Sequence, residues 1–387
     1  MKGLFGFIFL ALLMTPTYNL FAQMNSSLNT AFQSALDKKP TLAQKEVLVK
    51  LVSERVQKKI NSLLEQGKGE LLERFMHFSD DVAGINTPFP IPKADEVTSL
   101  DADIRAGNIT LQARANGPTP IFYTGGLSNI FGGATGTGLL LDEYHQVDPL
   151  ETVALSGATF HIVGVSLDHE HIIYQVTTPD YPYATEKGYY IDARFVDVFW
   201  MPLAILPHRE RQLPSQETIL ANLRNSHGLP YIWGGNVPTG VPKLLEYHPP
   251  KGFVDESLRA KWTFRGVDCS GLLYAATDGF TPRNTSEIVN FGTGLDIAGK
   301  TSEEIISMLQ PLDIIARKGH MLIVLNQSEV IQSKLDYGTG TIGFQNGVKI
   351  SPLKDILDEL LLTHIPLNSV DDPGPEGKKK LVIRRWY

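Results

Sequence analysis

Cysteine is nearly absent: Cys269 is the single one in 387 residues, so no internal disulfide can form. Positive charge is also short. Thirty-five Lys and Arg face 42 Asp and Glu, a formal net charge of -7, which argues against a nucleic-acid binder with its phosphate-attracting basic face. Long apolar runs are missing too. The longest, Leu4 to Met14, falls short of the roughly 20 residues that span a bilayer. With 42% apolar and 20% charged residues, the chain can bury a core and is not mostly disordered. Its length exceeds one ordinary domain of about 100 to 200 residues, so two or three are expected.

The apolar run near the start reads as a secretory signal. Lys2 supplies the positive start and Leu20-Phe21-Ala22 a small residue for cleavage, giving a signal peptide over 1–22 and an exported, periplasmic or extracellular, product with no stable membrane span after cleavage. No cysteine lies near that point, which excludes lipid attachment there. In an oxidising compartment a lone thiol needs a reason to persist. Cys269 is therefore either a small buried hydrophobe or a nucleophile, and its neighbours must decide.

From 23 to 95 the sequence is helical in character: Leu42, Val47, Leu48, Leu51, Val52, Val56 and Ile60 recur largely at three- and four-residue steps. Pro88, Pro90 and Pro92 then break helix and mark a linker. A β domain is expected over 96–208, with strands at 109–115, 153–165, 171–178 and 189–198 separated by Gly, Asp and Pro turns. Gly157, the strand around Ile162-Val163-Gly164-Val165, and Gly188-Tyr189-Tyr190-Ile191 follow an order that resembles a bacterial SH3-like domain. Asp168-His169-Glu170-His171 gathers metal-ligand residue types, but neighbouring strand residues face opposite ways, so a polar hairpin tip is expected instead. The glycines between 125 and 138 lack a following Lys-Ser/Thr and read as a loop, not a phosphate cradle.

The chemistry lies in 209–387. Gly266-Val267-Asp268-Cys269-Ser270-Gly271 is a turn feeding the apolar run Leu272-Leu273-Tyr274, which puts Cys269 at a helix start, where unpaired N–H groups lower a thiol's pKa. Lys318-Gly319-His320 precedes Met321-Leu322-Ile323-Val324-Leu325, so His320 is expected to open a buried strand as general base to Cys269. Gln332 in the next strand can hold the imidazole, with Asp336 as the rival. His227, His248 and His364 open no apolar strand. No metal or other cofactor is required, since thiolate and imidazole supply nucleophile and proton transfer.

Pro230-Tyr231-Ile232-Trp233-Gly234-Gly235, Asp268-Cys269-Ser270-Gly271, Pro282-Arg283-Asn284-Thr285 and Gly319-His320, in that order, resemble the signatures of the NlpC-type, papain-like cell-wall cysteine peptidases. The resemblance covers about the last 180 residues and implies an α+β, papain-like cysteine peptidase domain preceded by the SH3-like β-barrel and the helical N-terminal region. It implies that Cys269 attacks an amide, that His320 moves the proton, and that Gln332 stands where the family commonly has a His. Glutamine cannot take up charge. By the same resemblance Tyr231 assists the oxyanion, or packs as an aromatic. Asp268 and Ser270 contact the free amino end of a peptide, while an N-cap role for Asp268 is the alternative. Trp233 walls the cleft and Arg283 is structural. The insertion over 236–265 either caps the cleft or decorates the surface.

The implied partners are peptidoglycan stem peptides or muropeptide fragments, cut between γ-D-glutamate and the diamino acid. Two alternatives stay open: a weak or inactive wall-binding protein on the same fold, and a papain-like amidase or acyltransferase.

Overall fold

The computed structural model describes residues 91–132, 136, 138–183, 185–200, 206, 209–335 and 346–387. The expected signal peptide, the helical region up to residue 90 and Asp336 lie outside the described residues. The 3-10 turn Ala94–Glu96 leads into helix α1 (Val97–Arg105), which buries Val97, Leu100 and Ile104 at three- and four-residue spacing.

The longer strands that follow are, in chain order, β1 (Leu111–Ala115), β2 (Thr119–Phe122), β3 (Leu150–Ala154), β4 (Thr159–Asp168), β5 (His171–Thr177), β6 (Tyr189–Asp192) and β7 (Val196–Trp200). Two of the expected strands are each divided. The run 153–165 breaks at Gly157, whose φ of 83° belongs to a turn. The run 189–198 breaks at a 3-10 turn over Ala193–Phe195, whose first residue is preceded by Asp192 accepting from the Arg194 N–H.

The described chain forms two compact units. The first contains 91–116, 158–182 and the residues from 192 to 206. In it β1 pairs antiparallel with β4 and β7, and β4 with β5. Leu111, Phe160, Ile173 and Tyr174 are buried, and α1 lies against β4, where the Asp101 carboxylate accepts the Val165 N–H at 2.8 Å.

The second unit contains 117–157, 183–191 and 209–387. Strand β2 pairs with β3 and with β6. Its longer remaining elements are α2 (Gln216–Asn225), α3 (Glu256–Trp262), α4 (Cys269–Ala276), α5 (Ser302–Met308) and α6 (Leu353–Thr363), with strands β8 (Ile314–Arg317), β9 (His320–Val324), β10 (Glu329–Lys334), β11 (Gly347–Pro352) and β12 (Lys379–Arg385). The sheet runs Thr293–Gly294, β12, β8, β9, β10, β11, with antiparallel pairing throughout that path. His364–Pro366 adds a parallel pair to β12.

The sheet is buried on both faces, so its strands are continuously apolar and not alternating. Ile314, Ala316, Met321, Ile323 and Ile331 join a core with Cys269, Leu272 and Leu273 of α4. Ile315, Leu322, Val324 and Val330 turn to the other face, into a core with Ile305 of α5 and Leu353 and Leu357 of α6. Each such fully buried aliphatic side chain contributes about 1.5–3 kcal/mol. This is an α+β architecture in which a central helix packs on an antiparallel sheet.

Candidate active site

Helix α4 begins where the sequence places it. Asp268 has extended backbone, and its carboxylate caps the helix by accepting the Gly271 N–H at 2.7 Å. Cys269 is thereby the first helical residue. Gly271 is required by a close approach: a Cβ there would lie 2.0 Å from the Gly235 carbonyl oxygen. The same turn accepts the Asp268 N–H at Gly235, 2.9 Å away. Gly234, at φ 71°, would clash with the Leu150 carbonyl at 2.6 Å. The paired glycines and the glycine after Cys-Ser thus lock two distant pieces of backbone together.

His320 is the first residue of β9, across a two-residue hairpin from Arg317. Gly319 in that hairpin has φ 82°, as the third position of a type II turn demands. The β9–β10 pairing, Ile323 to Ile331 and Val324 to Val330, brings Gln332 back to the ring. His320 Nε2 lies 2.8 Å from Gln332 Oε1. A carbonyl oxygen only accepts, so Nε2 carries the hydrogen and Nδ1 keeps the basic lone pair. Gln332 is buried, and its neighbour Ser333 donates to the Val267 carbonyl at 2.6 Å, which ties β10 to the segment just ahead of Cys269.

The Cys269 thiol meets this strand at its start. It is hydrogen-bonded by the backbone N–H groups of Ser270 and Met321. Helix α4 packs against both β9 and β10.

The electrostatics differ from the expectation of a thiol acidified by a helix start. Burial pushes the Cys269 thiol up to about 12, with the Asp268 carboxylate adding to the rise. Arg283 and the two backbone hydrogen bonds act in the opposite direction without overcoming the desolvation. Burial likewise pulls His320 down to about 4; the Gln332 hydrogen bond and Asp268 oppose this, while Arg317 and Lys334 reinforce it. At neutral pH the resting pair is a thiol and a neutral imidazole.

Asp268, Ser270 and Arg283 form a buried polar cluster. The Arg283 guanidinium spans the carboxylate, with Nη1 2.9 Å from Oδ1 and Nη2 2.6 Å from Oδ2. It also donates to Ser270 Oγ at 2.7 Å, to the Gly235 carbonyl at 3.3 Å and to Thr152 Oγ1 at 3.1 Å. Ser270 Oγ makes a short contact to the Arg283 carbonyl oxygen as well. Asp268 therefore serves as helix cap and ion-pair partner at once, and both of its oxygens are engaged. The sequence singled out Arg283 as structural but gave no sign of its partners.

Tyr231 is buried, whereas Trp233 is 44% exposed with its backbone N–H donating to Gln146 Oε1 at 3.0 Å. Asn236 is a residue the sequence reading missed. Its buried amide clamps β3, accepting the Val153 N–H at 2.9 Å and donating to the Val153 carbonyl at 2.8 Å. The insertion over 236–265 is not surface decoration. Trp262 and Phe264 are fully buried, Trp262 Nε1 donates to the His248 carbonyl at 2.8 Å, and the His248 ring stacks on Phe131 at 4.8 Å between centroids. Among the described residues no cluster of His, Cys, Asp and Glu is suited to hold a metal, and no helix is long and apolar enough to cross a membrane.

Fold and site together describe an α+β protein with a thiol at the start of a helix and, at the start of a strand packed on that helix, an imidazole held by an amide. Comparison of the coordinates with solved structures finds NlpC/P60 proteins among its matches. An NlpC/P60 family protein from Bacillus cereus aligns at 16% identity over 74% of this chain and 66% of its own length, with a TM-score of 0.26. The chain thus spans just under two thirds of that protein. NlpC1 from Trichomonas vaginalis aligns at 15% identity over 72% of this chain and 69% of its own, TM-score 0.24. RipD from Mycobacterium tuberculosis, described as a non-catalytic NlpC/p60 domain protein adapted to peptidoglycan binding, aligns at 15% identity over 44% of this chain and 95% of its own, TM-score 0.25. No family model matches the sequence, and no curated protein does.

Proposed function

We propose that this chain is an exported cysteine peptidase of the NlpC/P60 class that hydrolyses peptidoglycan stem peptides at the bond between γ-D-glutamate and the diamino acid. The observation that carries the reading is the contact of His320 Nε2 with Gln332 Oε1 at 2.8 Å, made where the Met321 N–H meets the Cys269 sulfur. In this mechanism His320 Nδ1 takes the thiol proton as sulfur attacks the carbonyl carbon. The tetrahedral oxyanion is stabilised by the Cys269 backbone N–H and by Tyr231, such donors being worth about 2.7–4 kcal/mol of barrier in other enzymes. Collapse breaks the C–N bond, and His320 returns the proton to the leaving amine. Water, deprotonated by the same imidazole, then cleaves the thioester. The thiolate and imidazolium form together, so each gains the attraction of the other that neither neutral group has.

Asp268 and Ser270 remain candidates for contact with a substrate ammonium, in competition with Arg283, and Trp233 for a wall of the cleft. The β region over 96–208 is proposed to be SH3-like, following a signal peptide over 1–22 and a helical region over 23–95, with 117–157 and 183–191 of it built into the unit of 209–387. A second reading, a wall-binding protein without turnover, is favoured by the raised thiol and the uncharged Gln332. Mass spectrometry of defined stem peptides after incubation separates the two. Intact protein is expected to release fragments and a Cys269→Ala variant to bind without cutting; binding without cutting by both establishes the second reading.

A further inference from the structure

The helix that carries the nucleophile starts with an anion. Asp268 immediately precedes Cys269, and its carboxylate caps α4. Serine or asparagine caps a helix about as well without charge. The carboxylate therefore brings a liability that capping does not need, because a negative group beside a thiol opposes formation of the thiolate. Burial is the main reason that the Cys269 thiol is pushed up; the Asp268 carboxylate adds to the rise, and Arg283 acts on the same sulfur in the opposite sense. On His320, where burial pulls the ring down, the Asp268 carboxylate favours the charged form.

Arg283 is built into this spot. It is 3% exposed, and each of its five N–H donors has an acceptor: Nε donates to Thr152 Oγ1, Nη1 to Asp268 Oδ1 and Ser270 Oγ, and Nη2 to Asp268 Oδ2 and the Gly235 carbonyl. Asp268 Oδ1 also accepts from the Gly271 N–H and the Ser270 hydroxyl, so the carboxylate cannot turn away from the guanidinium. Both partners are buried, where solvent screens charge least. The sulfur one residue away therefore meets a closed ion pair and not a bare anion.

We propose that Arg283 is a positioning residue for the nucleophile: by closing an ion pair with the helix-capping Asp268 it cancels the charge that would otherwise oppose the Cys269 thiolate. This rests on the reading of Cys269 as the nucleophile and adds a control of its reactivity to it. The sign of the effect separates it from a purely structural role. Removing the cation leaves the anion unopposed and makes the thiol less reactive; removing the anion leaves the cation unopposed and makes it more reactive. A structural role has no such sign, since either change breaks the same buried hydrogen bonds.

The test is the rate at which iodoacetamide, a small uncharged reagent, alkylates the full-length protein at about pH 8. Cys269 is the only cysteine, so a single mass adduct reports it. A tenfold change in thiolate fraction alters this rate about three- to fourfold, because a less basic thiolate is also a weaker nucleophile. Asp268→Asn, which keeps a helix cap, is expected to react about threefold faster than the parent, and Arg283→Gln about threefold slower. Arg283→Lys, which keeps the charge and loses the fork, stays near the parent, and Asp268→Asn combined with Arg283→Gln recovers the rate lost in Arg283→Gln. Near-ultraviolet circular dichroism confirms that each variant is folded; should Arg283→Gln not fold, an Asp268→Asn rate no higher than the parent's overturns the proposal by itself. Rates that move the same way in the two single variants, or a double variant no faster than Arg283→Gln, overturn it as well. Cleavage of stem peptides is followed separately. If no peptide is cut but the single variants move in opposite directions, the peptidase reading fails and the charge control stands; if peptides are cut and the rates do not separate, the reverse holds.

Discussion

The resting forms of Cys269 and His320 act on stability at opposite ends of the pH scale. His320 is held down near 4 against an ordinary 6.5, so between these values the unfolded chain binds a proton that the folded chain refuses. Stability rises with pH wherever the unfolded state holds more protons; it is therefore lost as pH falls from about 6.5 towards 4. Cys269 is pushed up to about 12 from 9.0, and above 9 the unfolded thiol ionises while the buried one does not. Stability falls again as pH rises through that range. Urea titrations from pH 4 to 11 are expected to show both limbs. Cys269→Ala should flatten the alkaline limb and His320→Gln the acidic one; unchanged limbs in these variants would place the titration elsewhere.

At this scale the sequence was informative about identity and silent about charge state. The block around Asp268 to Gly271 and the glycine before His320 located both groups, because turn chemistry and helix starts are local. The pKa values were not legible. They depend on burial by Leu272, Met321 and Ile323 and on the Asp268–Arg283 pair, which come together only in the folded sheet-helix core. The expectation of a helix-acidified thiol failed for that reason.

Among elements, the union of α4 with the turn at Gly234-Gly235 governs the site more than any single side chain. Gly271→Ala places a methyl 2.0 Å from the Gly235 carbonyl oxygen, a backbone atom that cannot swing aside, so α4 must shift. Overpacking of this kind costs about 1–3 kcal/mol or more. Gly319→Ala is the informative contrast. Nothing lies within 4 Å of its Cβ, and only the φ of 82° is strained, at about 1–2 kcal/mol. Thermal melts should show both variants destabilised. Peptide cleavage should fall more steeply in Gly271→Ala, whose methyl moves Cys269 itself. Equal activity in Gly271→Ala and the parent would mean that the helix start is not set by this contact. The β9–β10 hairpin, by contrast, was readable: the apolar runs Met321 to Leu325 and Val330-Ile331 with a short polar interval between them forecast the pairing that delivers Gln332.

For the molecule as a whole, the division at residue 209 drawn from the change in sequence character meets a different distribution of contacts. Residues 117–157 and 183–191 are compact with 209–387, through links that no local pattern announces. Asn236 clamps Val153, Arg283 reaches Thr152, and Gln146 accepts from the Trp233 N–H. Phe122 and Phe131 pack against Phe264, with centroids 5.9 and 6.0 Å apart. A fragment starting at 209 loses these partners, leaving the buried Arg283 and Asn236 with unmet hydrogen bonds and the rings of Trp262 and Phe264 exposed on one side. Each unpaired buried polar group costs about 1–3 kcal/mol, and a domain's whole stability is about 5–15 kcal/mol. Residues 209–387 expressed alone are therefore expected to lack a cooperative melting transition and near-ultraviolet circular dichroism, whereas 117–387 should retain a transition of its own. A sharp, fully reversible melt of 209–387 at the temperature of the longer fragment would show that the preceding strands add nothing to the core around Cys269.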